Sequence, residues 1–341
     1  MTRHPSAISI CVASFVILAA ACGGGGGEEG TATPPAAVDT ETIEEATPQA
    51  TEETADVNQS FWHAGWKVTL GEATLRIEGS SRIVEIGAQF ENLGEATATF
   101  DSRLVLLSGG QSYDEPTLDQ EFPRVPGELS GNGLITFRVD DDFTLDDATL
   151  LVGNPANNQA TVPIGPDGDD LVDLAPREID VTGSATAGAV TLTVERIEIR
   201  ADLPDVHSIA EEGKKLIIVY FSATIGSGIP IGEGVLQSAN VALKLPDGTA
   251  VAVREDGRSG VNELIQGREG TTIQDLSVRF EVPEPVEGAY AFVVRGRYAA
   301  GTDQVEGELA FMIPAEGEAD GTPGAAATTA DATTPEPAAT P

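Results

Sequence analysis

Sulfur and imidazole are nearly absent from this chain, which has two Cys, two Met and three His among 341 residues. Cys11 and His4 lie in an N-terminal segment with the features of a removable leader, so Cys22, His63 and His207 are what remains after it. That excludes an intramolecular disulfide, a thiolate metal centre and most soft-ligand redox sites. Met312 is the one Met besides Met1, and it is expected to pack in the last strand, Leu309 to Ile313. Basic residues are scarce too: 19 Lys+Arg stand against 55 Asp+Glu, a net charge of −36. A chain this acidic lacks the basic footprint of nucleic-acid binding and does not dock electrostatically on anionic lipid. No Gly-x-Ser-x-Gly elbow and no phosphate-cradling Gly-x-x-x-x-Gly-Lys occurs, so the usual nucleophile and nucleotide motifs are missing. Neither an enzyme nor a cofactor is expected.

The ends carry the clearest signals. Arg3 and His4 precede an uncharged apolar run from Ala7 to Ala21, too short to span a bilayer comfortably and matching the core of a secretory signal. The run closes Leu18-Ala19-Ala20-Ala21-Cys22, which looks like a bacterial lipobox with its Leu one place early. Residues 1–21 are therefore read as a lipoprotein signal peptide. Cys22 is read as the lipidated mature N-terminus, placing the chain outside the cytoplasmic membrane on a lipid anchor. Residues 22–60, rich in Gly, Thr, Ala, Pro and Glu, are expected to be a disordered acidic linker, and 315–341 a disordered Thr/Ala/Pro-rich tail.

Between them lie short β-type runs with turn residues. In Arg82 to Glu91, Val84, Ile86, Ala88 and Phe90 share one face, and Glu85, Gln89 and Glu91 the other, the pattern of a half-buried antiparallel strand. Leu216 to Ala223 repeats it through Ile217, Val219, Phe221 and Ala223. Each strand precedes a hairpin, turning at Gly109-Gly110 in one case and Asp247-Gly248 in the other. A constant offset of 143 (270 − 127 = 296 − 153) aligns Gly127 with Gly270 and Gly153 with Gly296. It also aligns Ile135, Phe137 and Val139 with Val278, Phe280 and Val282. This reads as internal duplication. The expected architecture is all-β: two tandem antiparallel β-sandwiches at 61–165 and 178–314, joined by a linker at 166–177. The second copy carries two insertion-like stretches, Asp202 to Gly213 and Glu255 to Arg268.

A family resemblance rests on an early strand ending Phe90-Glu91-Asn92-Leu93-Gly94, a hairpin, Pro126-Gly127-Glu128, the run Gly133 to Val139 and Asp142-Phe143. The pattern resembles the extracellular immunoglobulin-like domains of unknown function in bacterial lipoproteins, which look related in fold to the secreted mycobacterial immunoprotective antigen. The resemblance implies an exported immunoglobulin-like sandwich and no known reaction.

Three local features are candidate sites. Phe61-Trp62-His63-Ala64-Gly65-Trp66 holds both Trp of the chain. If exposed, Trp62 and Trp66, with His63 as a polar contact, would form an aromatic patch for a glycan or small ligand; the alternative is that the rings cap the core. Asp140-Asp141-Asp142 and Asp167-Gly168-Asp169-Asp170 cluster carboxylates on loops, which makes Asp140, Asp142, Asp167 and Asp169 weak calcium candidates. A solvated acidic turn and a polar linker are the simpler readings. The functional expectation is a cell-envelope lipoprotein acting as a non-catalytic binding or scaffold module. Its partner is the membrane through the anchor, together with an envelope protein or glycan and no nucleic acid.

Overall fold

Apolar alternation becomes strands throughout. The computed structural model describes residues 52–78, 81–114, 122–227, 236–254, 269–296 and 305–315, and over these the protein is all-β with antiparallel sheets. Helical structure among them is confined to two 3-10 turns, Pro204–Val206 and Ser238–Asn240. No helix there is long and apolar enough to cross a membrane.

The chain packs as two sandwiches with the same strand order. In the first, one sheet runs Glu53–Asp56, Trp66–Glu78, Ser81–Asn92, Ser130–Val139, with Ser60–His63 also paired to Trp66–Glu78. The facing sheet runs Ala160–Pro163, Thr149–Val152, Leu104–Ser108, Gln111–Tyr113. The second sandwich has Arg177–Ile179, Val190–Arg200, Lys214–Ile225, Thr272–Pro283, with Gly183–Ala187 beside Val190–Arg200. Facing it are Ala250–Ala252, Val241–Lys244, Gly288–Gly296, Val305–Ile313. The registers agree as well. Val84 pairs with Phe137 and Arg82 with Val139, as Ile217 pairs with Phe280 and Lys215 with Val282.

Each sandwich has its own core. Val84, Ile86, Phe90, Phe137 and Val152 belong to the first, whose members run from Val57 to Ile164. Ile217, Val219, Phe221, Phe280 and Phe292 belong to the second, which runs from Ile179 to Ile313. Within the cores most rings meet at tilted or edge-on angles, as at Phe280 and Phe292, 6.3 Å apart at 75°, while Tyr290 and Phe311 stack at 5.8 Å and 16°.

Several expectations are corrected. Residues 53–60 are not linker: Glu53–Asp56 pairs with Trp66–Glu78, and Val57 is buried. An edge strand gains its place by backbone hydrogen bonding, which a polar composition does not prevent. Nor is 166–177 a free linker. Val172 and Thr161 exchange backbone hydrogen bonds, Leu174 packs on the first core, and Arg177 already belongs to a strand. Met312 points outward and is 61% exposed, because Leu309, Phe311 and Ile313 hold the inward positions of its strand. The signal segment, Cys22, the linker up to residue 51, the stretch 255–268 and the tail from 316 lie outside the described residues.

Phe137 and Phe280 are both fully buried at equivalent places. Phe137→Ala and Phe280→Ala should each lower unfolding stability by about 3–5 kcal/mol in urea titrations. A loss under about 1 kcal/mol at either would contradict the burial.

Candidate binding site

The aromatic hairpin is a structural socket, not an exposed patch. Ser60–His63 turns back into Trp66 through Ala64 and Gly65, with φ of 49° and 81°. Two successive positive φ values make the tight turn that suits the twist of a hairpin. Trp66 is 2% exposed and meets Phe100 edge-on at 6.0 Å. His63 is buried opposite it. Trp62 is half-buried, with the Lys67 ammonium 5.2 Å above its ring, and its backbone N–H donates to Asp173 O. The expected patch of Trp62, His63 and Trp66 is thus corrected: two of its three members lie inside.

What covers the hairpin is the insertion of the second copy. Asp202–Leu203 pairs with Ser208–Ile209, and the 3-10 turn Pro204–Val206 between them meets the hairpin tip. The Gly65 N–H donates to Asp202 Oδ2 at 2.5 Å. His207 stacks on Trp66 at 5.6 Å and 29°, and its Nδ1 donates to Ala64 O at 3.1 Å. A side chain at position 65 would meet the Pro204 backbone at 2.8 Å, so Gly is required there for space as well as for φ. Alongside, the Asn158 N–H donates to Ala210 O, its Nδ2 to Lys214 O at 2.7 Å, and the Glu212 N–H to Ala156 O.

The joint continues as a polar chain across the outer face of the second sandwich. Asp202 Oδ1 accepts from Arg200 Nε at 3.0 Å, and Arg200 Nη1 reaches Glu198 Oε1 at 2.6 Å. Glu198 Oε2 accepts from the Tyr220 hydroxyl, whose ring carries the Arg196 guanidinium at 3.6 Å. Burial and the neighbouring Glu198 raise the Tyr220 pKa, keeping its hydroxyl a donor.

His63 has a different role from His207. Its Nδ1 is 2.9 Å from Ser102 Oγ, while its buried Nε2 has no hydrogen-bond partner and faces Gly153. A Ser–His pair alone does not make a nucleophile. Nothing here orients the imidazole through its second nitrogen, and burial lowers its pKa to about 4.

In the acidic loops Asp140 is engaged through its carboxylate, and Asp142, Asp167 and Asp169 through their backbone N–H groups. Asp140 accepts from the Tyr113 hydroxyl at 2.8 Å, and burial together with this bond pushes the Tyr113 pKa up to about 12. Asp142 donates its N–H back to Asp140. The Asp169 N–H donates to Thr149 Oγ1 and the Asp167 N–H to Asp146 O. Asp147, outside the candidate set, accepts from Ser108, Thr144 and the Gly109 N–H, which hold its carboxyl below the usual range. Among the described residues no group of three or more His, Cys, Asp or Glu is placed to hold a metal ion.

A cleft of about 390 Å³ opens at the end of the second sandwich, with Arg177, Ile199, Lys215, Glu284, Val286 and Pro314 among its lining. Sequence reasoning did not find it. Arg177 was read as the end of a linker, and the cleft forms only when both sheets and the loop at 284–287 meet. Asp202 was equally hidden, although it opens a stretch already visible as an insertion.

No family model matches the chain, and no curated protein matches it. Two solved structures from Bacillus anthracis show distant likeness. One, a conserved hypothetical protein, has a TM-score of 0.24 and 12% identity, covering 30% of this chain and 89% of its own. The other, a conserved domain protein, has a TM-score of 0.27 and 14% identity, covering 79% and 93%. Likeness this weak decides nothing about what the protein binds.

His63 generates a pH prediction. Its folded pKa, about 4, lies below the ordinary 6.5, so between these values the unfolded chain takes up a proton that the folded chain refuses. Its contribution is complete above pH 6.5, falls as pH drops toward 4, and is level below that. A shift of this size is worth about 3 kcal/mol. Urea unfolding of wild type and His63→Asn from pH 7 to 4 should give curves whose difference narrows in this window. A pH-independent difference would refute the assignment.

Proposed function

We propose that the protein is a cell-envelope lipoprotein, anchored through Cys22, whose two sandwiches act together as a stiff, non-catalytic binding or scaffold module. The joint carries this reading. A sandwich pair on a flexible hinge needs no buried carboxylate between its halves, whereas here Asp202 of one sandwich is 2% exposed and bonded to the backbone of the other. Both histidines of the mature chain are used structurally, one stacked in the joint and one sealed beneath Gly153. The lipobox and acidic linker support the location. Such a tether raises the local concentration of the module near its neighbours on the surface.

Two measurements test the reading. Mass spectrometry of the native protein should find Cys22 at the N-terminus with acyl chains, lost in Cys22→Ser; an unmodified Cys22 or another cleavage site refutes the anchor. In a Cys22→Ser background, spin labels at Gln111→Cys and Asp247→Cys, one on each sandwich, should give a single narrow distance distribution. Asp202→Ala should broaden it, since removing one partner of a buried ion pair costs about 3–5 kcal/mol. A broad distribution in the parent chain would refute the stiff module.

A further inference from the structure

The geometry points to a ligand site at the open end of the second sandwich: the cleft takes a small organic monocarboxylate with an apolar body. This deepens the binding-module reading and rests on it. Strand parity places the cations. Arg177 pairs across strands with Ile199, and Lys215 follows the inward row of Ile217, Val219 and Phe221. Both therefore occupy inward positions at strand ends, where the rest of each row is apolar. An inward cation at the mouth of a core is tolerable only with a partner, from the protein or from outside.

The partners inside the protein are incomplete. Arg177 is half-buried and donates one N–H to Pro314 O at 3.0 Å. Among the described residues no ion pair holds it, which leaves most of its five-donor fork for a ligand. Lys215 reaches Glu284 at 3.2 Å, and that carboxylate is 41% exposed, so a ligand can compete for the ammonium. Arg200, also at the cleft, is already ion-paired with Glu198 and Asp202.

The first sandwich offers an internal comparison. Arg82 holds the register position of Lys215, and its guanidinium donates to the carbonyls of Asp140 and Asp141. There the cation closes the loop at the sandwich end. In the second copy Lys215 meets that loop through the exposed Glu284 side chain, Arg177 donates to Pro314 O, and both line a space of about 390 Å³, within the size range of small-molecule sites.

The lining selects the ligand. Arg177 matches one carboxylate bidentately, and Ile199 and Val286 receive an apolar body. Glu284 and Glu287 also face the cleft, so a second negative charge is repelled, as it is by a chain of net charge −36. A monocarboxylate is favoured over a dicarboxylate and over an inorganic anion.

The test uses the full-length mature chain and 4-phenylbutanoate, with 4-phenylbutanol and adipate as comparators, followed by calorimetry. The carboxylate should bind saturably, the alcohol and the dicarboxylate more weakly, and Arg177→Gln should weaken 4-phenylbutanoate roughly tenfold while Arg177→Lys weakens it less. Should Arg177→Gln fail to fold, protection of Arg177 from phenylglyoxal by 4-phenylbutanoate, read by peptide mass mapping of the wild type, replaces it. Absence of saturable binding, equal binding of the alcohol, or no protection overturns the site. Those results in a chain that is acylated and stiff remove the cleft and leave the scaffold reading in place.

Discussion

One buried carboxylate ties the two sandwiches to each other. Removing Asp202 from water costs several kcal/mol, which is recovered only if its oxygens are fully engaged. Arg200 takes Oδ1 and the Gly65 amide takes Oδ2. The second bond requires the hairpin to present a bare N–H at its tip, hence the positive φ at Gly65 and no side chain there. The first requires the strand Val190–Arg200 to end with a guanidinium beside the insertion. If either element shifts, a charge is left buried and unpaired, so the two sandwiches share part of their stability through this side chain, alongside the His207–Trp66 stack and the Asn158 hydrogen bonds.

The sheets were legible in the sequence because their cause is local. Alternation at Val84, Ile86, Ala88 and Phe90, and at Ile217, Val219 and Phe221, follows from a two-residue period, and the turns at Gly109-Gly110 and Asp247-Gly248 follow from φ preferences. What was not legible depends on pairs far apart in sequence. Whether Trp66 is covered depends on His207 and Pro204, and whether Arg177 lines a cleft depends on Pro314, 137 residues away. The strand Glu53–Asp56 was missed for a third reason: its side chains are mostly exposed and carry no pattern, because it is held by its backbone. Met312 went astray by one position, and a one-residue shift reverses every face of a strand.

Charge is distributed unevenly. Among the described residues many of the scarce cations are matched with surface carboxylates, as Lys214 with Glu211 and Glu281, Arg254 with Glu281, and Lys244 with Glu308. Exposed pairs of this kind contribute about 0–1 kcal/mol each. Stability without disulfides therefore rests on the two cores and the joint, and the acidic surface serves solubility instead.

The outward position of Met312 has a consequence for durability. None of the four buried apolar clusters contains a sulfur atom. Peroxide reaching this body meets its thioether at a solvent-facing position, where sulfoxide formation adds a polar group to an already hydrated surface. The packing beneath holds no thiol or thioether, so among the described residues sulfur oxidation is confined to one exposed side chain.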